Sequence, residues 1–186
     1  VRWAYLSETE GSYDIEREKP TADKAQAFAA LLAKAHIDEP ITEEYLVGLQ
    51  QLAITNALER AFEFRNHQNW LRGPLTGALG VTYLPPPPEC LEEIMANVMA
   101  MANDAASMRS DVANAKPAAV DPLVLGAIVS FGFVFAHPFS DGNGRLSRFL
   151  FHRVVCSSGQ LSNGLVLPIS IAMKRNEERY LAALQS

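Results

Sequence analysis

Apolar residues fall at helical spacing along most of the chain. After Pro20 and Thr21 they occupy Ala25, Phe28, Leu31, Leu32 and Ala35, one face of a helix. A second helix is predicted to begin after Pro40 and Ile41, with Thr42 as N-cap and Glu43 and Glu44 complementing its positive end. Leu46, Leu49, Leu52, Ala53 and, further on, Phe62 would share one side of it. Between Trp70 and Pro88 the pattern changes. The stretch "GPLTGALGVTYLPPPP" holds turn-forming glycines, the β-prone Val81-Thr82-Tyr83 and four prolines, and predicts a short hairpin or extended flap ended by polyproline. From about Glu89 to Ala115 the chain reads as helix again.

Asp121-Pro122 is a clean helix start, an N-cap aspartate followed by proline at the first helical position. The stretch "LVLGAIVSFGFVFA" behind it is apolar on nearly every side and predicts a buried central helix. Pro138 disfavours helical geometry in its predecessor, so this helix must stop near His137. A second apolar helix is predicted from Asn143 or Gly144 through Leu150, Phe151 and Val154 towards Gly159. Asn176 caps a last helix containing Tyr180 and Leu184. No internal repeat interrupts this order. The expected architecture is a single all-α domain over residues 1–186 with a short β-hairpin flap.

Composition narrows the classes. With 48% hydrophobic residues over 186 positions, the chain can build a packed core. No apolar run reaches the roughly 20 residues that cross a bilayer, and no charged-then-apolar leader is visible. The chain begins at Val1 rather than methionine, so a tag, leader or further domain could precede it. Cys90 and Cys156 stand in neither metal nor redox spacing, which fits a reducing cytoplasmic setting. A formal net charge of -5 argues against direct nucleic-acid binding, which needs a basic face.

The chemistry concentrates in "HPFSDGNGRLSR", His137 to Arg148, between the two apolar helices. A Gly142-Asn143-Gly144 turn opening a helix presents free N–H groups at the positive end of its dipole. Such an end binds anions, and glycine lets a phosphate approach the backbone. Arg145 and Arg148 could both lean towards that anion with planar paired donors. A lone Asp141 could hold Mg²⁺, which takes one or two carboxylates plus substrate phosphates. His137 is the natural general base for a hydroxyl nucleophile. Each part has a plainer use: a helix-end histidine, an ordinary turn, an N-cap aspartate, arginines paired with nearby carboxylates. Their coincidence between two apolar helices favours attack of a hydroxyl on a metal-bound phosphate ester.

The run His137-Pro138-Phe139-x-Asp141-Gly142-Asn143-Gly144-Arg145-x-x-Arg148 resembles the signature of the Fic domain family at every defined position. The resemblance implies an all-helical fold and transfer of AMP from ATP to a protein hydroxyl, releasing pyrophosphate. It implies His137 as base, Phe139 as an anchor in the core, and Asp141 as the ligand of Mg²⁺ or Mn²⁺. Gly142, Asn143 and Gly144 would form the anion cradle, and Arg145 and Arg148 would contact the outer phosphates. Residues 121–158 would then be the central helices and motif loop, and residues 73–88 the flap. Thr76, Gly77, Val81, Thr82 and Tyr83 would dock the target peptide by backbone pairing; the plainer reading is a connection whose Val81 and Tyr83 plug the core. The expected partners are ATP and a target protein carrying a Ser, Thr or Tyr hydroxyl, itself included. Homodimerisation is left open.

Residues 1–36 resemble a second family part. In "SYDIER", Ser12 and Glu16 match the inhibitory-helix pattern Ser/Thr-x-x-x-Glu-Gly/Asn, but Arg17 replaces the last residue. Glu16 would pair with Arg148 and occupy the space of the γ-phosphate. The alternative is a surface helix with a solvated Glu16 near its start. Removal of AMP, transfer of another phosphate-containing group, and a noncatalytic nucleotide-sensing module compete with AMP transfer. His36, His67 and His152 are expected to be structural or surface residues, and Trp3 and Trp70 packing residues.

Overall fold

The computed structural model describes residues 2–16, 18–72, 81–108, 120–161 and 165–185. Among them are eight α-helices: α1 (Arg2–Ile15), α2 (Ala22–Ala33), α3 (Glu43–Ala53), α4 (Leu91–Asp104), α5 (Pro122–Ala136), α6 (Asn143–Ser157), α7 (Ile169–Arg175) and α8 (Glu177–Gln185). Two short strands, β1 (Leu71–Arg72) and β2 (Val81–Tyr83), pair antiparallel, with Leu71 opposite Tyr83 and Arg72 opposite Val81. Thr76 and Gly77, predicted to lie in the flap, fall outside the described residues.

α5 and α6 form the central pair. α4 packs on α5, α1 on α7 and α2, and α3 on both α2 and α6. The starts follow local chemistry. Asp121 Oδ1 accepts from the backbone N–H of Leu123 at 2.7 Å, and Pro122 opens α5. Thr42 Oγ1 accepts from Tyr45 N at 3.1 Å and caps α3. Along α6, Leu146, Phe149, Leu150 and Val154 are all buried, a spacing that turns one stripe inwards. They share a core with Tyr13, Phe28, Met95, Phe133 and Phe139.

Four expectations need correction. α3 ends at Ala53 because Ile54 is extended and Asn56 captures the Leu58 N–H in a separate turn, so Phe62 lies outside the helix, exposed. α5 is not buried all round: Leu123, Val124, Ile128 and Phe135 leave one face open. Trp3 and Trp70 are exposed rather than packed. The helix predicted over Glu89 to Ala115 begins with a 3₁₀ turn at Pro88–Cys90 and is α-helical over Leu91–Asp104, with residues 109–119 outside the described part. α7 was not expected at all, since seven residues are too few to show a period.

α1 inverts the usual polarity. Its buried residues include Ser7, Glu8, Thr9 and Ser12 beside Tyr13, while Trp3 and Leu6 face outwards. Gly11 allows this close seat, because a Cβ there would come within 3.0 Å of Ser170 Cβ on α7. Glu8 is fully buried and accepts from Ser170 N at 2.9 Å and Ser170 Oγ at 2.7 Å.

Candidate active site

The site lies where α5 ends and α6 begins. His137 terminates α5 in the left-handed conformation, φ 51° and ψ 57°. A non-glycine residue there costs on the order of 1–3 kcal/mol and persists only when its surroundings impose it. The surroundings here do so. Arg65 Nε donates to the His137 carbonyl at 2.8 Å, and Asn69 Nδ2 donates to it at 3.3 Å and to the Phe139 carbonyl at 3.0 Å. The backbone N–H of Arg65 reaches the Pro138 carbonyl at 2.8 Å.

The imidazole of His137 is buried. Its Nδ1 lies 3.3 Å from the Val134 carbonyl, which can only accept, so Nδ1 carries the proton and Nε2 keeps its lone pair. Burial pushes the ring pKa down to about 4, with the nearby Arg65 charge acting in the same direction and the Val134 carbonyl and Asp141 opposing. At neutral pH the ring is therefore an acceptor.

Phe139 is buried against Phe133 and Phe64, with ring centroids 6.3 and 5.5 Å away, and pins the loop to the core. Asn143 does the rest. Its Oδ1 accepts from Phe139 N at 2.9 Å and its Nδ2 donates to Phe139 O at 2.7 Å. The side chain thus staples the loop, and its backbone N–H remains at the opening of α6. Gly142 turns the chain into α6 at φ 88°, a conformation open to glycine.

The cradle residues converge on one carboxylate. Arg148 Nη2 stands 2.5 Å from Glu16 Oε1, and Arg145 Nε stands 3.4 Å from Glu16 Oε2. Glu16 Oε1 also lies 2.8 Å from where a Gly144 Cβ would sit, hard against the opening turn of α6. Arg145 is shared further. It donates to the Ala53 carbonyl at 3.1 Å, pairs with Asp141 at 3.2 Å, and its guanidinium lies 5.7 Å from the Tyr13 ring centroid. Both arginines are almost fully buried.

Glu16 sits just past the C-terminus of α1, not near a helix start, and is only 25% exposed. A carboxylate there opposes the dipole of its own helix. Its support comes from elsewhere, from the positive end of α6 and two arginines. Ser12, four residues earlier, is buried, and its hydroxyl has no hydrogen-bond partner among the described residues.

Asp141 is the carboxylate of the loop. It accepts from Gly142 N at 2.6 Å, and its side chain is 45% exposed. Among the described residues no cluster of three or more His, Cys, Asp or Glu could hold a metal alone. One outward carboxylate beside an anion cradle fits a divalent cation that arrives with phosphate oxygens, not a resident metal.

The described part of the flap lies beside the α5 end. Tyr83 is buried and its hydroxyl donates to the Phe135 carbonyl at 2.7 Å, so it anchors the strand. Thr82 donates to Leu71 O at 3.2 Å, while Val81 is exposed. His152 is buried between the Arg148 and Leu167 carbonyls, and His67 is exposed. Sequence reasoning missed Arg65, Asn69 and Gln50. Gln50 is fully buried and donates to the Asp141 carbonyl at 3.3 Å. Their only signal is polarity within or beside apolar segments, which does not distinguish them from surface residues.

One loop between two central helices thus brings together a buried neutral imidazole, a glycine turn at a helix start and two buried arginines. The Fic/DOC family model matches residues 40–155, and the chain belongs to that family. Two protein adenylyltransferases named fic-1 are similar to it: that of Caenorhabditis briggsae at 34% identity and that of Caenorhabditis elegans at 30%, each over 77 residues. Each match covers 41% of this chain but 13% of the relative, far less than the relatives' length. A Fic-domain signaling protein from Bacteroides thetaiotaomicron shares the fold at TM-score 0.67 and 18% identity, covering 97% of this chain and 71% of that one. A segment of Fic-1 from C. elegans carrying a glutamate-to-glycine substitution aligns at TM-score 0.61 and 20% identity, over 100% of this chain and 57% of that one.

Proposed function

We propose that the chain transfers AMP from ATP to a protein hydroxyl and is restrained in cis by Glu16. The observation that carries the reading is the pairing of a neutral His137, its Nε2 free to accept, with an arginine cradle closed by Glu16, across one loop. Family membership and the adenylyltransferase relatives support the donor and reaction class.

His137 Nε2 accepts the proton of the target hydroxyl as its oxygen bonds to the α-phosphorus. The bond from that phosphorus to the bridging oxygen breaks, and pyrophosphate leaves with the electron pair. The Gly144 end of α6, Arg145 and Arg148 stabilise the negative charge of the outer phosphates. Asp141 would hold Mg²⁺ or Mn²⁺, which supplies charge neutralisation on the phosphates. β2 would receive the target backbone in place of Gln185, whose Nε2 donates to the Thr82 carbonyl at 2.9 Å.

Glu16 occupies the place of an anionic phosphate, so a nucleotide with all its phosphates seated must displace it from Arg148. The test is transfer from α-labelled ATP by the parent and by Glu16→Gly, with Mg²⁺ or Mn²⁺. Higher labelling by the variant supports restraint; equal silence of both proteins overturns it. Removal of AMP is the competing reading, because Glu16 is partly exposed at the site and could orient water. Release of AMP from a modified protein by the parent, lost in Glu16→Gly, would favour that reading.

A further inference from the structure

Arg65 is almost fully buried, on the segment between α3 and β1. Its side chain donates to four backbone carbonyls: Nε to His137 at 2.8 Å, Nη2 to Ala136 at 3.2 Å, Nη2 to Pro86 at 2.5 Å, and Nη1 to His67 at 3.0 Å. Its backbone N–H takes a fifth carbonyl, that of Pro138. Three of these five belong to consecutive residues at the turn that carries the imidazole.

The choice of an arginine is physically specific. The last carbonyls of a helix have no partner within it, and they bear the negative end of its dipole. A planar guanidinium satisfies several at once in fixed directions, which an ammonium on a flexible stem cannot do. The Pro86 contact adds a second function. It joins the stretch that follows β2 to the same guanidinium, so strand edge and imidazole are referenced to one rigid group.

We propose that Arg65 is the positioning residue of the His137 base, holding it in its left-handed conformation and setting the β2 edge in register with it. Arg65 touches no reacting atom. It acts through the His137 carbonyl, with Asn69 as the second donor to that oxygen. The proposal rests on His137 serving as base, and it assigns the clamp residues as well as the base. The guanidinium charge beside the ring, which has no carboxylate partner among the described residues, also discourages imidazolium formation, against the opposing pull of Asp141 and the Val134 carbonyl.

Arg65→Lys and Arg65→Gln, each combined with Glu16→Gly in the full chain, test this. Long-range ¹H–¹⁵N spectra report the tautomer and titration of the His137 ring, assigned with His137→Gln. The Glu16→Gly reference should show a single Nδ1–H tautomer, both double variants a tautomer mixture, and Arg65→Gln, which removes the charge, an upward-shifted midpoint as well. kcat should fall about tenfold or more, because small misplacements of a base are costly, while KM for ATP stays within about twofold. Folded variants with unchanged His137 signals and unchanged kcat overturn the proposal. If Arg65→Gln does not fold, Arg65→Lys and Asn69→Ala carry the same comparison. If the Glu16→Gly protein transfers nothing from ATP, AMP transfer is refuted, yet altered ring signals still uphold the clamp and unaltered ones refute it.

Discussion

The two ends of the motif loop are held by different physics. At the base end, Arg65, Asn69 and Asn143 fix backbone groups whose partners cannot leave. At the cradle end, Arg148 and Arg145 share the side-chain carboxylate of Glu16 at the edge of solvent. Backbone-directed bonds define a geometry, whereas an ion pair defines an occupancy that another anion can take over. The base is thus preorganised and the cradle is exchangeable. Under the proposed function, restraint at the exchangeable end would leave the geometry around His137 intact when Glu16 is displaced.

Breaking the base end should produce the largest effect. His137→Ala is expected to lower transfer by about 10²–10⁴-fold, the usual contribution of a general base, while calorimetry finds ATP binding nearly unchanged. A variant with full activity would remove the proposed role.

Acidity separates the two ends next. The His137 ring is displaced from an ordinary 6.5 to about 4, mainly by burial. Its contribution to stability is present above pH 6.5 and lost as pH falls through 4. Glu8, on the α1 side, is displaced from 4.5 to about 7, mainly by burial, with the Ser170 bonds and Arg148 opposing. Its contribution is present below 4.5 and lost as pH rises through 7. Each displacement corresponds to roughly 3 kcal/mol, with opposite sign, so the parent should change little in stability between these limits from the two groups. Glu8→Gln removes one arm. Chemical denaturation should then show stability rising by about 3 kcal/mol from pH 4 to 6.5; a flat profile would refute the opposition.

Glu16→Gly should raise transfer by roughly ten- to a hundredfold, which corresponds to the 1.5–3 kcal/mol of a hydrogen bond to a charged group. The sharper readout is ATP affinity, which should rise in parallel because the same arginine is released. Asn143→Ala should have the smallest effect on the comparison. It removes two bonds to Phe139 and should lower stability by about 1–3 kcal/mol in denaturant, with ATP affinity the less affected. A larger loss of ATP affinity than of stability would give the Asn143 side chain a direct part in the cradle.

Local rules located much of this molecule. Asp121-Pro122 marks the start of α5 and Pro138 its end, because an N-cap and a missing donor act within one turn. The loop from His137 to Arg148 was legible for the same reason, its residue types being adjacent in sequence. α1 was less legible, since its inward face is polar and its outward face carries Trp3 and Leu6, the reverse of a periodic apolar stripe. The Asn143 side-chain staple was not legible, because an amide at a helix start can bond forwards or backwards, and only the position of Phe139 decides.

The sequence by itself determined where α3 begins, where α5 begins and stops, and which residues could handle phosphate chemistry, because these depend on neighbours a few positions apart. The tertiary structure decided what surrounds that loop. Glu16 meets Arg148 across 132 positions, and Arg65 meets His137 across 72. Such pairings follow from how α1, α5 and α6 pack, and no local periodicity encodes the distance between two helices.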